Sequence, residues 1–304
     1  MNEIEARSNS ISPAQWGIVA LVVAFSAGSI LYKLLMHVHF GHSAAMFIGV
    51  PAVLAILLAL TPRAKSATGA ILKGITLALL IIAPLLGEGY LCILMASPLF
   101  YIVGIVIGCA ADYGRKDRNA TLGCVALVLL PMCLEGVFPA MTFRRAQTVE
   151  VSKLVNASPA LVEQQLAQSP RTNTPLPFAL RVGFPQPIKA WGDGLAIGSL
   201  RTIHFTGAEG DPPGDLVMRV TERRDGYARF ETVSDGSKLT QWIRWNGSEV
   251  GWRSLDPNHT QVTWRIHFDR QLDPAWYFTP WERTVVGLAA KYLIDANAIP
   301  AGSR

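Results

Sequence analysis

Long apolar runs confined to the first half of the chain restrict its fold more than any other feature. Trp16 to Met36 is broken only by Lys33. Further runs cover about Ser43 to Thr61, Ala67 to Leu86, Tyr90 to Ala111 and Thr121 to Met141, the second closed by Pro62 and the last containing Pro131. A helix needs about 20 apolar residues to cross a bilayer's hydrocarbon core. The backbone finds no water there, so such runs must be helical, and proline is tolerated better than in water. The expectation is an N-terminal all-α transmembrane bundle of about five helices. The start "MNEIEAR" holds two acids and one base, and the run after it is too long for a secretory signal, so it reads as an uncleaved helix.

Charge divides the 304 residues a second way. Up to Met141 there are eight Lys/Arg and six Asp/Glu, and from Thr142 onward nineteen and sixteen. The expected layout is a tail over 1–15, a transmembrane domain over 16–141, a linker over 142–146, a globular domain over 147–298 and a tail over 299–304. The globular part is long enough to bury a core of its own. The net charge of +5 is spread without a dense basic run, so nucleic acid is not an expected partner. Cys92, Cys109, Cys124 and Cys133 all fall in the apolar half and read as small buried hydrophobes, not a disulfide framework.

Basic loops orient membrane helices. "PRAKSATGAILK" and "DYGRKDRN" are the positive connections and are expected on the cytoplasmic side, which places the globular domain outside. Arg144 and Arg145, directly after the last run, pull the other way. On this topology His37, His39, His42, Glu88 and Glu135 share the outer face, with Cys92 and Met95 as soft neighbours. Histidine and carboxylate can bind a divalent metal or relay protons. A histidine spacing of two and three does not stack on one helical face, however, and Glu88 sits between two glycines. Wet interfacial side chains account for the same pattern, so no metal or cofactor is assigned.

After "TFRRAQ" the pattern changes to period two. "TVEVSKLV" reads as a strand, and "NASPALVEQQLAQ" as a helix capped by Asn156 or Ser158. A Pro/Gly-rich connection over 169–194 is too irregular to assign. "AIGSLRTIHF", "DLVMRVTERR", "YARFETVS", "KLTQWIRW", "EVGWRSLD" and "TQVTWRIHFDR" then read as antiparallel strands, with "RDG", "NGS" and "DPNH" as turns. In the last strand Val262, Trp264, Ile266 and Phe268 alternate with Thr263, Arg265, His267 and Asp269, so one face of the sheet is covered. Trp281, Val285, Leu288, Ala289, Tyr292 and Ala296 recur at helical spacing over about Pro280 to Asn297. That helix also carries Glu282, Arg283, Lys291 and Asp295, too many charges for a span.

In "VSKLVNASPALVEQQLA", "GDGLAIGSLRTIHF" and "TQVTWRIHFDRQLDPAWYFTPWERTVVGLAAKYLI" the chain resembles the SRPBCC superfamily, the START-like and polyketide-cyclase-like domains. The resemblance covers roughly 147–298, and the whole chain is similar to membrane-anchored bacterial members. It implies an α+β helix-grip domain, a curved antiparallel sheet around a long C-terminal helix. It also implies a cavity for a lipid, quinone or polyketide-like molecule, and a bacterial inner membrane. Phe205, Phe230, Trp242, Trp252, Trp264, Phe268, Tyr277, Leu288 and Tyr292 are the candidate cavity residues. A packed core would use the same aromatics. Arg201 and Arg265 are the candidate polar anchors, with solvated positions as the alternative.

The sequence contains no G-x-S-x-G elbow, H-E-x-x-H pair, P-loop or dinucleotide fingerprint, so no catalytic residue is assigned. Three functions stay open: a tethered binding module, a membrane-bound enzyme using the same cavity, and an accessory protein acting through its spans.

Overall fold

A computed structural model describes residues 12–35, 50–62, 64–86, 90–113, 123, 134–181, 183–192, 194–207 and 212–300. It divides into two compact units, Met1–Leu130 and Pro131–Arg304.

The first unit contains α1 (Pro13–Leu35), α2 (Val50–Leu60), α3 (Ala67–Leu86) and α4 (Tyr90–Tyr113). Among the described residues, one stretch is long and apolar enough to cross a membrane by length and composition, Ile93–Tyr113 within α4. The described helices therefore do not support a five-span bundle. Most of the fifth run lies outside the described residues, and its end is a turn and a 3-10 segment, Pro139–Met141, around Gly136 at φ 82°. His37, His39, His42 and Glu88 also lie outside the described residues.

Two devices hold α3 to α4. Gly104 and Gly108 lie one helical turn apart, and a Cβ on Gly108 would stand 2.5 Å from Thr68 Cα, so only glycine permits that approach. Asp112 accepts from the backbone nitrogens of Ala67 (2.7 Å) and Thr68 (3.1 Å), capping the start of α3 from another helix.

The second unit is one seven-stranded antiparallel sheet with a long last helix. Its elements are β1 (Ala146–Val155), α5 (Pro159–Ala167), α6 (Phe178–Arg181), β2 (Pro187–Trp191), β3 (Leu200–Phe205), β4 (Gly214–Arg224), β5 (Tyr227–Asp235), β6 (Ile243–Asp256), β7 (His259–Arg270) and α7 (Ala275–Asn297). The strand order is β1-β7-β6-β5-β4-β3-β2, so the first strand closes on the last, from Ala146↔Asp269 to Val155↔Thr260. The sheet curls around α7, the arrangement of a helix-grip fold. Ser158 caps α5, its side chain accepting from Leu161 N.

Two sequence expectations are corrected. "NGS" is not a turn: β6 runs straight through it, with a register shift between Trp245 and Gly247 that acts as a bulge. Helix α7 begins at Ala275, so the aromatics before Pro280 form its first turn, not a separate loop.

Both ends of α7 are satisfied by side chains distant in sequence. Each Glu135 carboxylate oxygen lies 3.1 Å from the Ala275 backbone nitrogen at the start of the helix. Arg171 donates to the carbonyls of Ala296 (3.0 Å), Asp295 (3.3 Å) and Ile299 at its end. An acid at the N-terminus and a cation at the C-terminus both oppose the helix dipole.

Candidate functional site

Between the curled sheet and the second half of α7 lies a cavity of about 100 Å³. One water needs roughly 10–15 Å³, so there is room for more than a trapped solvent molecule. Strands β3 to β6 contribute Ile203, Leu216, Met218, Ile243 and Trp245, α7 contributes Val286, Ala289 and Leu293, and the irregular strap between α5 and β2 adds Leu176, Leu180 and Phe184. The surface turned to the cavity is almost wholly carbon.

Of the sequence-derived candidates, Phe205, Phe230, Trp264 and Tyr292 line the cavity, as does Arg201. The Phe230 and Trp264 rings stack with centroids 6.5 Å apart. The Arg201 guanidinium carbon lies 5.1 Å from the Phe230 centroid on a side chain that is 2% exposed. Its Nη2 donates to the carbonyls of Leu166 and Gly194 (3.3 Å), closing the end of α5. Burial raises the Tyr292 hydroxyl above its ordinary pKa, so it stays protonated at neutral pH.

The remaining candidates lie elsewhere. Trp242 packs edge-on against Phe184, a lining residue, without lining the cavity itself. Trp252 is buried under Arg223, whose guanidinium carbon sits 4.8 Å from the ring. Phe268 is fully buried in the core, Tyr277 packs between Trp276 and Phe278, and Leu288 is half-buried off the cavity wall.

Arg265 faces the opposite side of the sheet. It donates to Glu150 (2.5 Å) and to Glu249 (2.9 Å), and Glu249 also takes His267 Nε2 at 2.9 Å. Burial pushes the Glu249 carboxyl up, but these donors outweigh it and hold it below the usual range. His204 pairs with Asp215 at 2.5 Å. Arg265, Glu150, Glu249 and His267 form an ion-pair network across β1, β7 and β6, and His204–Asp215 is a separate pair between β3 and β4.

"KLTQWIRW" reads as one strand, but Lys238–Gln241 is a 3-10 turn and β6 starts at Ile243, and the cavity wall holds Trp245, the largest lining residue that sequence reasoning did not propose. Its indole nitrogen, that of Trp264 and Asn297 Oδ1 are buried without a hydrogen-bond partner among the described residues. Each such group costs about 1–3 kcal/mol. Thr221 Oγ1, Thr232 Oγ1, Asp235 Oδ2 and Glu282 Oε2, away from the cavity, are buried without a partner among the described residues as well.

The first turns of α7 enclose a second buried cluster. Arg270 is fully buried and donates to Glu135 Oε1 (2.9 Å), Asp273, and the carbonyls of Phe143 (2.9 Å) and Leu272 (2.9 Å). Arg145 pairs with Asp273 at 2.8 Å. Glu135 is thereby committed to the globular unit, not to an intramembrane acid site. Glu282, 3% exposed, accepts from Leu272 N at 3.3 Å. Burial raises its pKa to about 7; the Leu272 and Gln271 amides and Arg270 oppose that rise, and Asp273 adds to it. Among the described residues no group of three or more His, Cys, Asp or Glu is placed to hold a metal ion.

No family model matches the chain, and no curated protein matches it. Solved structures similar to it include a START superfamily protein from Mycobacterium smegmatis, 13% identical over 49% of this chain and 92% of that one, TM-score 0.35. The Zhui aromatase/cyclase from Streptomyces sp. R1128 is 16% identical over 50% and 86%, TM-score 0.31. A truncated norcoclaurine synthase from Thalictrum flavum is 9% identical over 49% and 92%, TM-score 0.32. Each likeness spans about half of this chain, and none bears on its chemistry.

Proposed function

We propose that the chain is a membrane-anchored module that takes a hydrophobic small molecule into the cavity between its sheet and its last helix. The carrying observation is the cavity itself, apolar and in the middle of a domain otherwise closely packed. A hydrophobe bound there takes apolar wall out of water, worth roughly 25 cal/mol per Å² covered. A lipid, quinone or polyketide-like molecule fits such a surface. Among the lining side chains Arg201, Ser248, Tyr292, Asn297 and the indoles of Trp245 and Trp264 carry polar atoms. A protonated phenol and a guanidinium engaged by backbone carbonyls do not make an acid–base pair, which favours binding over catalysis.

Anchoring is supported by Ile93–Tyr113 and by Leu94, Phe100, Ile102, Ile105 and Val106, large apolar side chains between 44% and 61% exposed on α4. Placement in a bacterial inner membrane, with the globular unit outside, rests on the positive loops and the resemblance. A ligand that partitions into the bilayer reaches a tethered pocket at high effective concentration.

The test is solvent extraction of the purified full-length chain followed by mass spectrometry. The wild type should release a near-stoichiometric apolar compound that Ala289→Trp, which fills the cavity, lacks. Identical extracts from the two proteins contradict the proposal.

A further inference from the structure

We infer that the junction end of the C-terminal unit docks on the lipid surface through Val137, Phe138, Met141, Phe143, Trp276 and Trp281. These side chains are between 46% and 66% exposed. They come from two segments 130 residues apart in sequence that the Arg270 cluster holds together. Glu135 receives the Ala275 amide, and Arg270 donates to the Phe143 carbonyl. The patch is therefore held on a rigid frame, not on a loose tail. A water-facing surface gains nothing from holding four aromatic rings outward this way.

Three observations select a bilayer as the occupant. Val137, Phe138 and Met141 belong to the last apolar run of the sequence, which ends at Met141. Its aromatics are of the kind enriched at membrane–water interfaces, where an apolar ring with a polar edge fits best. The charges are sorted to match anionic headgroups: Arg144 and Arg283 are exposed, whereas Glu135 and Glu282 are buried and Asp273 is turned onto Arg145 and Arg270. The inference rests on the anchored reading above. It adds that the globular unit itself touches lipid, with the first turn of α7 toward the membrane.

The experiment is site-specific photo-crosslinking of the full-length chain in the membranes of a bacterial host. The photoreactive amino acid p-benzoylphenylalanine is placed in turn at Phe143, Trp276 and Trp281. Exposed Val233 and Leu255, on β5 and β6, serve as water-facing controls, and Ile102 on α4 as the membrane reference. Phospholipid adducts at the three patch positions, several-fold above the controls and comparable to Ile102, are expected. Adducts at Ile102 with none at the patch overturn docking while leaving anchoring intact. Crosslinks from the patch into residues 1–130, a second copy or another protein assign a different occupant and also overturn it. No lipid adduct at Ile102 removes the anchored reading, and the docking with it.

Discussion

Helix α7 runs past two interiors of opposite kind. Its first turns close over Arg270, Glu135, Asp273 and Glu282, where a fully buried guanidinium finds two carboxylates and at least two backbone carbonyls. Its second half covers a cavity whose surface is almost all carbon, while buried polar atoms around it stay unpartnered. The contrast separates two tasks. Around the buried cation, the domain ties Glu135, Phe143 and Asp273 to the start of α7. Where the cavity lies, the walls leave apolar space that the chain's own side chains do not fill.

The largest expected effect comes from removing the buried cation. Arg270→Met leaves Glu135 buried without its cation and Asp273 with Arg145 alone, and should destabilise the C-terminal unit by about 3–5 kcal/mol. Denaturant unfolding followed by tryptophan fluorescence reads this directly. Retention of the apolar ligand under native conditions would sharpen the division, because the two regions would then fail separately.

Glu282 tests the same cluster through pH. Its folded pKa, about 7, lies above the ordinary 4.5. The folded state therefore binds the proton more tightly than the unfolded one. The stabilisation is fully present below about pH 4.5 and is lost as pH rises through about 7. The difference is on the order of 3 kcal/mol. Glu282→Gln should flatten stability between pH 5 and 8, measured as melting temperature against pH, with the gain over wild type appearing at the alkaline end.

On the cavity side Ala289→Leu should change stability little, with a gain of up to about 1–2 kcal/mol if the methyl groups fill the void without strain. Ligand content should fall sharply all the same. A variant that loses stability and keeps its ligand would erase the distinction between the regions. The smallest effect is expected on the outer face. Arg265→Ala removes a half-exposed ion pair and should cost no more than about 1 kcal/mol, with ligand content unchanged.

What the sequence revealed follows the same physical division. Strand β7 was legible because Val262, Trp264, Ile266 and Phe268 alternate cleanly, and a covered sheet face imposes period two. Strand β6 reads as two strands because Asn246–Gly247 suits a bulge as well as a turn, and the 3-10 turn over Lys238–Gln241, unmarked by any local pattern, takes Trp242 out of the strand. The strap carrying Leu176, Leu180 and Phe184 has no period at all, so nothing local marked it as a wall. Pro280 suggested a helix start because proline favours first turns. The true start is fixed by Glu135, which is 140 residues away and invisible to any local pattern. In the N-terminal half, apolar composition marked helices but not spans. Within the described residues one stretch, Ile93–Tyr113, is both long and apolar enough to cross a membrane.

The central claim is that the cavity holds an apolar molecule. Native mass spectrometry of the full-length chain, released from detergent under gentle activation, measures this most directly. The account predicts a discrete added mass on most wild-type molecules that is missing from Ala289→Trp. Wild-type molecules at the bare polypeptide mass, or the same adduct on both proteins, would contradict it.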